Sequence, residues 1–170
     1  MTMQNVNPAD VKSIDAIVAA AYDEISGPAG KKRDWDRERS LYMPGARLMP
    51  LAAKAGVAGG EDVDLATGRV RPTGGLAPQI LDVEGFIARV EPFFQENGFY
   101  EKEIARRTEQ FGKIAHVWST YESRHNEDDP EPFMRGINSI QLFNDGKRWW
   151  IVSIYWQQES ADAPIPEKYL

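Results

Sequence analysis

Few side chains in this sequence could move a proton, and none points to covalent or metal chemistry. The chain has two histidines and no cysteine, so thiolate nucleophiles and disulfide frameworks are both excluded. His116 falls in an alternating apolar–polar run, and imidazole is the commonest general base at neutral pH. It fits equally well as a hydrogen-bonded structural histidine. His125 sits in the acidic stretch Asn126-Glu127-Asp128-Asp129 and reads as solvated. Tyr121 and Tyr22 are the other acid–base candidates. Glu101 and Glu103 alternate with Tyr100, Lys102 and Ile104. A glutamate buried on such a strand would have a raised pKa and could act as acid or base, although charges in this pattern more commonly guard a sheet edge. Arg47, Arg106, Arg107 and Arg135 could each hold an anion, and surface ion pairs account for them as well. With so few histidines and no short-spaced carboxylate cluster, no metal and no cofactor are expected. There is no nucleophile elbow, phosphate loop or dinucleotide fingerprint. The glycine-rich Gly56 to Gly60 is fed by no strand.

These residues must be positioned by the elements around them. The 170 residues carry a net charge of -6, suited to one domain spanning 1–170 and unsuited to a nucleic-acid partner. Lys31-Lys32-Arg33 is interrupted by Asp34 and Asp36 and reads as a solvated loop. The start has no basic-then-apolar leader, and no run is long enough to span a bilayer, so a soluble, cytoplasmic protein is expected. One helix is predicted from Pro8 to Ile25, with Val11, Ile14, Ile17, Val18, Ala21 and Tyr22 on its stripe. A short helical segment follows near Asp34 to Ser40, with Trp35 and Leu41 buried. A first strand covers Ala46 to Met49. Residues Ala52 to Gly75 read as a long loop with at most a short strand at Arg69-Val70-Arg71. Asp82 caps a second main helix carrying Val83, Phe86, Ile87, Val90, Phe93 and Phe94, with Pro92 near its end and Gly98 beyond it. Four strands then follow: Phe99 to Phe111, Ile114 to Arg124, Phe133 to Phe143 and Arg148 to Glu159. The tail Ala163-Pro164-Ile165-Pro166 should lie extended against the body.

The last hairpin allows a register to be derived. A two-residue Asp145-Gly146 turn pairs Leu142 with Trp149, Ile140 with Ile151, and Asn138 with Ser153. One face then carries Asn138, Ile140, Trp149, Ile151, Ser153 and Tyr155, apolar with a few convergent polar groups, as a ligand site would be. The other carries Trp150, Val152, Ile154 and Trp156 and suits a dimer interface. A three-residue turn would exchange the two faces.

The order of elements resembles the nuclear transport factor 2-like superfamily, in its SnoaL-like, polyketide-cyclase-like branch. The resemblance rests on Asp34 to Arg47 and on the closing Gly146-Lys147-Arg148-Trp149-Trp150-Ile151 strand. It implies an α+β, cone-shaped fold: a curved antiparallel sheet wrapped on N-terminal and middle helices, with a pocket between them and often a homodimer. The ketosteroid isomerases of that superfamily place a catalytic aspartate at the end of the first strand, where this chain has Pro50, and a tyrosine on the first helix, near Tyr22. The expectation is a homodimer that binds a small, mainly apolar organic molecule. An isomerase, dehydratase or cyclase of the same fold, or an accessory dimer with a vestigial pocket, stands beside it.

Overall fold

Side-chain caps set where each α-helix begins in the computed structural model, which describes residues 6–53 and 75–170. The predicted N-terminal helix is two. In α1 (Pro8–Val11) the Asn7 side chain accepts the Ala9 N–H at 3.1 Å. The chain breaks at Lys12 because Ser13 acts as a second N-cap, its Oγ accepting the Ala16 N–H at 3.1 Å, and α2 (Ile14–Ile25) starts there. Asp34 caps α3 (Trp35–Leu41), and Asp82 caps α4 (Val83–Glu96) through the Gly85 N–H at 2.7 Å. Asn97, rather than Gly98, closes α4. Trp35 and Leu41 are buried as expected. Among the described residues no helix is long and apolar enough to cross a membrane.

The strands are β1 (Tyr42–Ala53), β2 (Leu76–Pro78), β3 (Tyr100–Phe111), β4 (Ile114–Arg124), β5 (Met134–Asn144) and β6 (Trp149–Gln158). They form one curved, open sheet in the order β2-β1-β6-β5-β4-β3. The four C-terminal strands were legible in the sequence. The first strand is longer than Ala46 to Met49, and it pairs with β6 in parallel. Strand β2 went unpredicted. Most of the long predicted loop, including Arg69 to Arg71, lies outside the described residues.

The helices cover the inner face of the sheet. Ile17 and Val18 of α2 and Leu41 of α3 meet Leu48, Val117, Ile140, Leu142 and Ile151, all nearly inaccessible to solvent. Burial of each such side chain is worth about 1.5–3 kcal/mol. On the outer face the C-terminal tail is tied down, as expected for Ala163 to Pro166. The Ile165 N–H donates to Glu159 Oε1 at 2.9 Å, Thr120 Oγ1 donates to the Tyr169 carbonyl at 2.6 Å, and Tyr169 packs on Trp118.

The derived hairpin register holds only in part. The turn has four residues, Asp145 to Arg148, because Asp145 Oδ1 accepts the N–H groups of both Lys147 and Arg148, at 2.7 and 2.9 Å. Asn144 therefore pairs with Trp149 and Leu142 with Ile151. That slip of two residues preserves the faces. The next pair is Gln141 with Ser153, which leaves Val152 as a β-bulge. One extra residue exchanges the faces of everything beyond it. Ile154 and Trp156 thus turn inward beside Ile140 and Asn138, whereas Ser153 and Tyr155 turn outward beside Gln141 and Ser139.

Candidate functional site

A cavity of about 230 Å³ lies between α2, α3, α4 and the concave sheet face. Its walls are mainly apolar: Ile25, Phe86, Val90, Phe93, Phe94, Phe99, Ile140, Ile154 and Trp156. Seven polar or ionisable side chains interrupt them, namely Tyr22, Glu38, Tyr42, Arg89, Glu101, Tyr121 and Asn138.

One polar group is built on β3 and β4. Inward positions of β4 carry Ser119, Tyr121 and Ser123, all essentially inaccessible. Ser119 Oγ donates to Glu103 Oε2 and sits 2.7 Å from the Tyr22 hydroxyl. The single serine proton is committed to Glu103, so the hydroxyl of Tyr22 must donate to Ser119. Asn138 Nδ2 in turn donates to the Tyr22 oxygen at 3.0 Å. The chain runs in one direction, from Asn138 through Tyr22 and Ser119 to Glu103. Tyr22 has no proton left to offer a ligand, and burial above all raises its pKa.

Tyr121 differs. Its residue is 1% exposed, and its hydroxyl has no hydrogen-bond partner among the described residues. The ring lies over Gly136, where a Cβ would come within 2.5 Å of the hydroxyl and 2.5 Å of the Gln157 carbonyl oxygen. Only glycine leaves space for the tyrosine there. Glu101 shares this end of the cavity. Its carboxyl accepts Ser123 Oγ at 2.8 Å, and burial, only partly offset by that bond, pushes its pKa up to about 7. The Glu101 charge in turn raises the pKa of both Tyr121 and Tyr22, after burial itself. A carboxyl poised near neutrality beside a free phenol is an acid–base pair.

The other polar group is Glu38, from the buried stripe of α3. It is 1% exposed, and burial raises its pKa to about 8. Behind it Arg37 bridges Asp10 (2.7 Å), Asp23 (2.7 Å) and Glu24, pinning α1, α2 and α3 together.

The sequence-predicted residues divide across the sheet. Asn138, Ile140, Tyr22 and Tyr121 line the cavity. Trp149 and Ile151 are inward and buried but do not line it. Ser153 and Tyr155 are displaced from the expected site by the bulge, and Tyr155 stands on the outer face beside Pro164 and Pro166. The same bulge takes Ile154 and Trp156 out of the expected dimer surface and into the cavity, leaving Val152 exposed and Trp150 under the Arg148 guanidinium. His116 is outward too: its Nε2 meets Ser139 Oγ at 2.9 Å and its ring packs on Trp118. Glu101 faces inward rather than guarding an edge. Glu38 went unnoticed, although its spacing of three residues from both Trp35 and Leu41 sets it on their buried stripe.

No family model matches the chain, and no curated protein does. Solved structures do. A nuclear transport factor 2-like protein of unknown function from Silicibacter pomeroyi superposes with a TM-score of 0.51 at 14% identity, over 87% of this chain and 94% of its own. A protein of Kribbella flavida gives 0.53 at 12% identity, over 89% and 94%. The chain has the nuclear transport factor 2-like fold. That fold serves many functions, so the chemistry must be argued from the cavity.

Proposed function

We propose that this protein takes a small, mainly apolar carbonyl compound into its cavity and moves a proton on it, as isomerases, dehydratases and cyclases do. The observation that carries this reading is the partnerless, buried Tyr121 hydroxyl beside Glu101. In the simplest step, the ionised Glu101 takes a proton from the carbon next to the carbonyl. The electron pair moves onto the carbonyl oxygen, and Tyr121 hydrogen-bonds the resulting enolate. Return of the proton to another carbon completes an isomerisation. The apolar walls strengthen both interactions by excluding water. Pro50 offers no base at the position where the resemblance places a catalytic aspartate, and Glu101 on β3 takes that part.

The test is deuterium wash-in at the α-carbon of indanone in heavy water, followed by NMR. The protein should accelerate exchange, Glu101→Gln should abolish the acceleration, and Tyr121→Phe should reduce it. A wild-type rate no faster than buffer would refute the proton-transfer step. The aromatic lining separately supports binding without turnover, and binding of naphthol by fluorescence tests that reading.

The polyketide-cyclase-like branch, a cytoplasmic location and a homodimer belong to the same proposal. The outer face supports the dimer by exposing Trp118, Val152 and Tyr155, at 38%, 38% and 39%. Light scattering returning a monomer mass at micromolar concentration would refute it.

A further inference from the structure

The cavity has a second polar end that the proton-transfer reading leaves idle. Glu38 Oε2 is buried, lines the cavity and has no hydrogen-bond partner among the described residues. Its carboxyl joins no ion pair there, because the neighbouring Arg37 is occupied by Asp10, Asp23 and Glu24. An unsatisfied carboxyl oxygen in an apolar wall is costly unless something satisfies it. The Tyr42 hydroxyl of β1 donates a hydrogen bond to the Glu38 carboxyl, leaving Oε2 as its unpartnered oxygen, whereas Glu101 lies on β3. In the sheet β6, β5 and β4 stand between those two strands. Ile140 of β5 and Ile154 and Trp156 of β6 line the cavity from those intervening strands, and Phe86 and Val90 line it from α4.

Resting on the reading that this cavity takes a small organic molecule, we propose that the occupant is two-ended: a ring-sized apolar body with one neutral hydrogen-bonding group at Tyr121 and a second, a hydroxyl or carbonyl, at Glu38. Burial keeps the Glu38 carboxyl protonated at neutral pH, so it can donate as well as accept. A cationic end is disfavoured because the Arg37 charge already acts on Glu38. The cavity volume of about 230 Å³ admits a fused bicyclic ring with a substituent at each end.

The probes are β-naphthol and a naphthalenediol with hydroxyls at opposite ends, titrated by fluorescence against the whole chain. The wild-type protein should prefer the diol by about tenfold, the value of one added hydrogen bond to a buried group. Glu38→Leu should erase that preference, and Glu38→Gln, which keeps a donor and an acceptor, should retain it. Naphthol binding with no preference for the diol in the wild type refutes the second end and leaves the binding reading intact; this comparison needs no variant to fold. Binding of neither probe refutes both. An aminomethyl naphthol that outcompetes the diol and loses its advantage in Glu38→Gln overturns the neutral end in favour of a cationic one.

Discussion

Replacing Tyr121 by phenylalanine should make the protein more stable and less active. The substitution removes one hydroxyl and keeps the ring. That hydroxyl is buried, with no partner among the described residues, and an unsatisfied buried donor costs about 1–3 kcal/mol. The ring keeps its place over Gly136, where there is no side chain to displace it. The phenylalanine variant should therefore gain about 1–2 kcal/mol, the lower part of that range because a cavity water can recover some of the cost. For a chain of 170 residues, each kcal/mol moves the melting temperature by about 2–4 °C. Paired urea and calorimetric unfolding of wild type and variant would read this directly, and the indanone exchange rate would read the function. Higher stability with lower activity marks a polar group retained for a ligand at the expense of folding. A loss of more than about 1 kcal/mol would refute the reasoning, since it would mean that the hydroxyl is bonded in the free protein. An unchanged exchange rate would remove Tyr121 from the chemistry.

Stability should also fall as pH rises. Glu101 and Glu38 have pKa values raised by burial to about 7 and about 8. The folded state therefore holds protons that the unfolded chain releases. Their contribution is fully present below the unfolded glutamate pKa of about 4.3 and is lost as pH passes through the two raised values, at about 1.4 kcal/mol per pKa unit. Urea midpoints should be higher at about pH 5 than at about pH 8.5, and Glu38→Gln should flatten the upper part of that decline. Equal midpoints would show that these carboxyls are not desolvated. Gly136→Ala should cost about 1–3 kcal/mol through overpacking against the Gln157 carbonyl and the Tyr121 ring, measured by the same unfolding. A neutral result would mean that the strands can separate there. Asn138→Ala removes the donor to the Tyr22 oxygen and should cost about 1 kcal/mol. Its effect on indanone exchange should be smaller than that of Glu101→Gln, and a larger one would make Asn138 a substrate contact.

The architecture was legible where a local signal had a single reading. Asp82 before the Val83, Phe86, Ile87 and Val90 stripe defines α4, and the period-two strands after Phe99 define the meander. Two failures were local as well. The Ser13 cap splits the first helix, and it competes with a hydrophobic stripe that runs through the break. The Asp145 side chain accepts two backbone N–H groups and opens the expected tight turn to four residues. The site was less legible because facing is a cumulative property of a strand. Asn138 and Ile140 precede the bulge pairing and were placed correctly, whereas Ser153, Tyr155, Ile154 and Trp156 follow Val152 and were all reversed. Glu101 gave an ambiguous signal, since guarding an edge and lining a cavity use the same alternation. What separates them is the partner strand, where Ser119, Tyr121 and Ser123 form a matching polar row.

The bulge at Val152 also bears on how sequences similar to this one should be compared with it. A relative lacking that residue would need a one-position gap in β6, and a gapless alignment across it would match cavity positions in one protein with surface positions in the other. Apparent substitutions of Ile154 or Trp156 would then be artefacts of phase. The same offset tells protein engineers which positions of β6 belong to which face. Randomising positions 154 and 156 reshapes the binding chamber and randomising 153 and 155 reshapes the exterior, whereas deleting Val152 removes the bulge and leaves both sets on their present faces, because Ser153 then follows Ile151 in plain alternation.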